Sequence, residues 1–479
     1  MQGNQKMKTL LCSVLISSGL SSQAHNVSEG YQKPTDPLVV RNLEQWQDLK
    51  FGLFMHWGTY SQWGVVESWS LCPEDESWTQ RNPEHGKSYV EYVKNYENLQ
   101  TTFNPVQFNP EKWAEATKKA GMKYVVFTTK HHDGFSMFDT QQSDYKITSS
   151  KTPFSKNAKA DVTKEIFETF RKDGFKIGAY FSKPDWHSDD YWWSYSPPKD
   201  RNVNYDPKKY PGKWDKFKTF TFNQLNEITS RYGKIDILWL DGGWVRPFHT
   251  IDPKVEWQRT IKVEQDIDMD KIGTMVRRNQ PGIIVVDRTV SGKWENYVTP
   301  EQAIPEHPLS IPWESCMTMG DSFSYVPNDH YKSSQKIIET LVKIISRGGN
   351  YLMNIAPGPN GDYDATVYER LNEISGWMDR NQSAVFATRS IAPYHEGDFY
   401  YTQAKDGSTV NVFHLNEKTE YKAPETLTFT IPESFNPKSL IIPGISSKIH
   451  WKKNGDTVEV KLPAERSKLR YALVIQMKK

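Results

Sequence analysis

At 479 residues the chain is too long for one ordinary core, and a large barrel with a smaller second domain is the natural plan. Lys and Arg number 60 against 58 Asp and Glu, and a net charge of +2 offers no footing for nucleic acid or an anionic surface. Aromatic residues reach 13%, with 17 Trp, a composition suited to stacking sugars or to packing loops over a barrel.

The N-terminus reads as an export signal. Lys6 and Lys8 precede the apolar run Leu10–Ile16, and Ser22-Gln-Ala24 offers a small-residue cleavage site, so residues 1–24 are expected to be removed. The run is too short to span a bilayer. The mature protein is therefore expected in the periplasm or outside the cell. Cys72 and Cys316 then remain, enough for one disulfide but not for a disulfide framework or a zinc site.

From Phe51 a strand–helix rhythm begins. Gly52–Gly58 is a first strand with His56 and Trp57 at its end, and Ser61–Thr102 is a long polar and aromatic loop. Helical character over Glu111–Ala120 stops at Gly121, and a strand over Lys123–Thr129 leads into Lys130-His131-His132-Asp133-Gly134. The amphipathic helix Asp161–Lys172 feeds the strand Phe175–Ser182, which carries Tyr180. A helix over Trp214–Tyr232 precedes Lys234–Gly243, an Ile- and Leu-rich strand that delivers Asp241 at its C-terminal end, with Trp239 two residues earlier on the same side. A helix over Met269–Arg278, a strand over Gly282–Arg288, a helix over Ser333–Arg347, a strand over Asn350–Ile355 and a helix over Ala365–Ala384 complete the series.

That alternation predicts an α/β fold, most simply a (β/α)8-type barrel over 38–388. Beyond about residue 390 short alternating strands at Thr409–Phe413, Glu425–Ile431, Thr457–Leu462 and Tyr471–Ile475 predict a C-terminal antiparallel β-sandwich over 389–479.

In such a barrel the chemistry belongs at the C-terminal ends of the strands, where His56, His131, His132 and Asp241 all fall. Adjacent histidines on a strand point to opposite sides, so one of the pair could be structural. No third-ligand carboxylate lies at metal spacing, so the histidines read as hydroxyl-binding groups, and neither metal nor cofactor is expected. Hydrolysis of a neutral polyhydroxyl substrate needs two carboxylates, one ionised and one held protonated. Asp241 suits the first role. Glu295, Glu301, Glu306 and Glu314 remain open for the second on chemistry alone.

Five motifs in order add a resemblance. Gly-Leu-Phe-Met-His-Trp-Gly at 52–58, Lys-His-His-Asp-Gly-Phe at 130–135, Leu-Trp-Leu-Asp-Gly at 238–242, Trp-Glu-Ser-Cys at 313–316 and Gly-Gly-Asn-Tyr-Leu-Met-Asn-Ile-Ala-Pro at 348–357 resemble glycoside hydrolase family 29, the α-L-fucosidases. The resemblance implies a retaining exo-acting enzyme with Asp241 as nucleophile. It implies Glu301 as acid/base, since Thr299-Pro300-Glu301 matches the broad-specificity branch, with Glu314 as second choice. It carries sugar-binding roles to His56, Glu67, Trp69, His131, His132, Tyr180, Trp239 and Arg288, and a fucosylated glycan as the substrate partner. Two departures stand out. Glu67-Ser-Trp69 replaces the family's Glu-Trp, and Pro312 replaces a basic residue. Glu301 is expected to be held protonated by burial or by the charge of Asp241, and His56, Trp57 and Trp239 to surround the sugar's methyl. The same scaffold tuned to α-L-galactose, or a non-catalytic glycan-binding protein, are the competing expectations.

Overall fold

The chain enters through α1 (Pro37–Leu49), started by the Asp36 carboxylate, which accepts the Leu38 N–H, and by proline in the first turn. The computed structural model describes residues 30–73, 81–417, 419–433 and 435–479, and the expected export signal lies outside them.

Seven buried strands follow: β1 (Phe51–Met55), β2 (Tyr124–Lys130), β3 (Lys176–Ser182), β4 (Ile237–Asp241), β5 (Ile284–Asp287), β6 (Glu314–Thr318) and β7 (Asn350–Asn354). They form one parallel sheet in the order β5-β4-β3-β2-β1-β7-β6. Around it run α2 (Tyr89–Asn98), α3 (Pro110–Lys119), α4 (Val162–Lys172), α5 (Pro211–Arg231), α6 (Met269–Asn279), α7 (Ser334–Ser346) and α8 (Ala365–Val385). The spacing that makes them pack is plain in α4, whose Val162, Ile166, Phe167 and Phe170 are all buried on one face.

No helix links β5 to β6. Instead residues 294–302 lie across the gap, antiparallel to β5 where Glu295 opposes Val286, and parallel to β6 where Val298 opposes Trp313 and Glu301 opposes Cys316. This segment closes the curled sheet into a (β/α)8-type barrel and hangs Glu301 beside the upper part of β6. The interior is filled by Phe54, Tyr124, Val126, Tyr180, Trp239, Val286, Tyr297, Cys316 and Leu352. Gly52 makes room for it: a Cβ there would sit 2.3 Å from the Tyr124 ring.

Two expectations need correcting. The stretch around Glu314, assigned no element from the sequence, is the strand β6. The 61–102 loop contains α2. Cys72 and Cys316 are both buried and are not joined to each other by a disulfide.

After α8 come β8 (Thr388–Glu396), β9 (Phe399–Ala404), β10 (Thr409–His414), β11 (Thr426–Thr430), β12 (Ser439–Ile441), β13 (His450–Asn454), β14 (Thr457–Lys461) and β15 (Leu473–Lys478). They pair as a five-stranded sheet, β12-β15-β10-β9-β8, and a three-stranded one, β11-β14-β13. Val410, Val412 and Ile475 of the first share a core with Leu427, Phe429, Val458 and Val460 of the second, so the two sheets form a sandwich. It is anchored to the barrel where the Trp377 indole N–H donates to the Ala472 carbonyl at 3.1 Å.

Candidate active site

The C-terminal ends of the barrel strands converge on Asp241, the last residue of β4. Arg288, one residue beyond β5, places Nη1 3.1 Å from Asp241 Oδ1. The Tyr180 hydroxyl of β3 donates to Asp241 Oδ2 at 2.9 Å, and His132 Nε2 lies 3.8 Å from the same oxygen. Burial pushes the Asp241 carboxyl up, but Arg288, His132, the Gly242 N–H and the Tyr180 hydroxyl outweigh it and hold it well below the usual carboxylate range. Asp241 is therefore ionised across the working pH range.

The second terminal nitrogen of Arg288 meets Glu301 Oε2, so one guanidinium spans both carboxylates. Arg288 Nε also donates to the Thr299 hydroxyl at 3.2 Å, which ties it to the segment carrying Glu301. The burial expected of Glu301 is not there: its side chain is 43% exposed and faces the mouth. Glu314 is the reverse. It begins β6, fully buried in the barrel interior, and accepts from the Tyr124 hydroxyl (2.5 Å), Tyr297 hydroxyl (3.2 Å) and Trp239 indole N–H (3.3 Å). Glu295 is buried and accepts the Thr289 N–H at 2.8 Å. Glu306 is exposed, and its carbonyl meets Arg347 at 3.1 Å.

Trp239 lies beneath Arg288, 5.3 Å from ring to guanidinium, and stacks on Tyr180 at 5.4 Å. The aromatic floor continues through His131, parallel to Tyr180 at 5.7 Å, to His56, 5.6 Å further on. Both histidines of the 131–132 pair face this site, because β2 ends at Lys130 and strand alternation ends with it. Burial pushes His56 down to about 4, His132 to about 3 and His131 well below its ordinary value, so all three are neutral near pH 7. Trp69 stands edge-on to His132 at 5.2 Å. Glu67 is buried, with Oε1 accepting the Ser324 N–H at 2.7 Å, and burial pushes its carboxyl up to about 8.

Trp57 corrects the expected methyl neighbourhood. It points away from the site, packs against Phe103, Phe108 and Trp113 outside the sheet, and gives its indole N–H to the Gly358 carbonyl at 3.1 Å. Phe323, 5.1 Å from His56, takes the aromatic place beside that ring.

His131, His132 and Asp241 bring ligand atoms within 4.8 Å of one another. Arg288 already neutralises Asp241, and a dication there would sit against a guanidinium, so the donor set does not suit a metal.

Ser68, Ser324 and Asn354 were not singled out by the sequence. Ser68 Oγ lies 2.6 Å from His131 Nδ1, and Asn354 Oδ1 lies 2.8 Å from His56 Nδ1. Asn354 sits inside a recognisable motif and Ser68 between two candidate residues, so position was the only signal available.

A family model described as Alpha-L-fucosidase matches residues 18–383. Plasma alpha-L-fucosidase of Homo sapiens is 25% identical over 413 residues, covering 83% of this chain and 81% of the relative. Tissue alpha-L-fucosidase of Rattus norvegicus is 26% identical over 462 residues, covering 91% and 90%. Among solved structures, alpha-L-fucosidase isoenzyme 1 from Paenibacillus thiaminolyticus superposes with a TM-score of 0.73 at 25% identity, covering 92% of this chain and 99% of that one.

Proposed function

The chain belongs to the alpha-L-fucosidase family, and from that premise we propose that it is a retaining exo-α-L-fucosidase acting on terminal α-L-fucose of glycans. The observation that carries the mechanism is one guanidinium spanning two carboxylates at the barrel mouth, Asp241 within and Glu301 outside. A retaining pair stands about 5–5.5 Å apart, and a shared arginine fork favours such closeness.

In the first step an Asp241 oxygen attacks the anomeric carbon. The glycosidic C–O bond breaks, and a proton that Glu301 has drawn from water at the mouth passes to the departing oxygen. In the second step water attacks the same carbon, its proton passes to Glu301, and the Asp241 ester bond breaks to release fucose with retained configuration. An aglycone at the mouth covers Glu301, while the neutral histidines His56, His131 and His132, with Glu67, Trp69, Tyr180 and Trp239, line the sugar's seat. Glu301 is preferred over Glu314 as acid/base because Glu314 is walled in by Tyr124, Tyr297 and Trp239, out of reach of a leaving group. The Thr299-Pro300-Glu301 pattern supports the broad-specificity branch, with tolerance of simple aryl fucosides.

Residues 38–388 act as the catalytic barrel and 389–479 as a structural sandwich. The N-terminal signal supports export. Among the described residues no helix is long and apolar enough to cross a membrane.

The deciding experiment is azide rescue of Glu301→Ala on an aryl α-L-fucoside with a good leaving group. The variant should still form the intermediate, and azide should speed its breakdown to an α-fucosyl azide. Wild-type turnover without azide would dismiss Glu301 from the role.

A further inference from the structure

His56 and His131 present themselves as a like pair of rings, yet their second nitrogens meet different partners. His56 Nδ1 lies 2.8 Å from Asn354 Oδ1. The amide nitrogen of Asn354 donates to the Phe323 carbonyl at 2.6 Å, and a carbonyl can only accept, so Oδ1 must be the atom turned toward the ring. His56 therefore carries its proton on Nδ1 and keeps a lone pair on Nε2.

His131 Nδ1 lies 2.6 Å from Ser68 Oγ. That oxygen already accepts the Asp133 N–H at 2.9 Å, is fully buried, and makes no other hydrogen bond among the described residues. If it accepted from the ring as well, its own proton would be buried without an acceptor, an arrangement folded proteins avoid. Ser68 must donate to Nδ1, which leaves the His131 proton on Nε2. Glu67, at φ +32°, supplies the bend just before Ser68. Both rings are neutral near pH 7, as burial dictates, so each has one defined tautomer.

We propose that His131 and His56 are locked in opposite tautomers, His131 as N–H donor and His56 as lone-pair acceptor, with Ser68 and Asn354 as the positioning residues. The site thereby grips two hydroxyls of a neutral sugar in opposite senses, one through its oxygen and one through its proton. A ligand lacking either group leaves a buried ring nitrogen unpaired, which selects for hydroxyls arranged as donor beside acceptor. The identity of the ligand rests on the fucosidase assignment; the tautomers do not.

The test is nitrogen NMR of the full chain labelled with ¹⁵N-histidine at pH 7, assigned with His56→Gln and His131→Gln. Protonated and bare ring nitrogens resonate far apart, so the expected result is Nε2–H for His131 and Nδ1–H for His56. The same tautomer in both rings overturns the proposal. In Ser68→Ala the His131 signature should become a mixture while that of His56 holds, and kcat/KM on an aryl α-L-fucoside should fall roughly five- to tenfold. A Ser68→Ala protein with unchanged His131 spectrum and unchanged kcat/KM removes Ser68 from the positioning role. The spectra decide the tautomers even if no fucoside is turned over, so the two assignments fail separately.

Discussion

Asp241 at the mouth of the barrel and Glu314 in its interior are both withdrawn from water, yet their surroundings shift them in opposite directions. At the mouth Asp241 meets the Arg288 guanidinium and stays ionised. A layer below, Glu314 meets only the neutral donors Tyr124, Tyr297 and Trp239, and burial pushes its carboxyl up to about 7. Trp239 separates the two, with Arg288 over its ring and its indole N–H given to Glu314. Burial acts on both groups in the same direction. What differs is whether a full charge stands opposite, and that decides which carboxylate can attack carbon. The charge-paired arrangement recurs around the rim, where the buried Lys183–Asp287 and Lys130–Asp185 pairs lie at 2.5 and 3.0 Å.

The largest effect should come from removing the mouth's ionised carboxylate. Asp241→Asn keeps the shape but loses the proposed nucleophile, and kcat on an aryl α-L-fucoside should drop by roughly 10⁴-fold or more. Activity near that of the wild type would end the contrast, since it would show that the charge of Asp241 does no chemistry.

Arg288→Ala comes next. It strips the counter-charge from Asp241 and frees Glu301 together, and kcat/KM should fall by about 10²–10³-fold. Arg288→Lys should recover little, because an ammonium cannot span two carboxylates as a planar fork does. Full recovery by lysine would mean that charge alone matters and the bridging geometry does not.

A smaller effect concerns pH. The site histidines are pushed below their ordinary value by burial, His56 to about 4 and His132 to about 3. They remain neutral as pH falls from 7 to 5, so the profile of log kcat/KM should show no acid limb near 6.5. An acid limb there that disappears in His132→Gln would show that the mouth admits more water than its packing implies.

The sequence made most of the scaffold legible because β1 to β5 and β7 are apolar runs and their helices carry one-sided apolar faces. β6 escaped because it opens on Glu314 and Ser315, polar residues whose burial only the barrel interior explains. Much of the sandwich edge was missed for a similar reason, since β13 (His-Trp-Lys-Lys-Asn) is largely exposed and has no apolar rhythm. At the site, the rule that chemistry gathers at strand ends pointed to Asp241 and the three histidines, and the family resemblance added Arg288. Strand alternation then misjudged the pair 131–132, which lies past the end of β2. Ser68, Ser324 and Asn354 stayed hidden because their partners lie 63, 257 and 298 residues away, and no local pattern encodes such contacts.

Glu314→Gln gives the finest test of the contrast. A carboxyl whose pKa is higher folded than unfolded keeps a proton that the unfolded chain loses, here between about pH 4.5 and about 7. Its contribution to stability is full below that window, falls as pH rises through it, and is level above it. Glutamine has no proton to lose, so the Tm of Glu314→Gln relative to wild type should climb by a few degrees from pH 5 to pH 7. Other buried carboxyls such as Glu67 and Glu295, both pushed up to about 8, are present in both proteins and cancel in that difference. Activity should stay within about threefold, since the amide oxygen can accept from Tyr297 and Trp239 while the Tyr124 hydroxyl turns to accept the amide N–H. A Tm difference flat with pH would mean that Glu314 ionises in the folded interior as readily as in water. A large loss of turnover rescued by azide would instead move the acid/base role from the mouth to the interior.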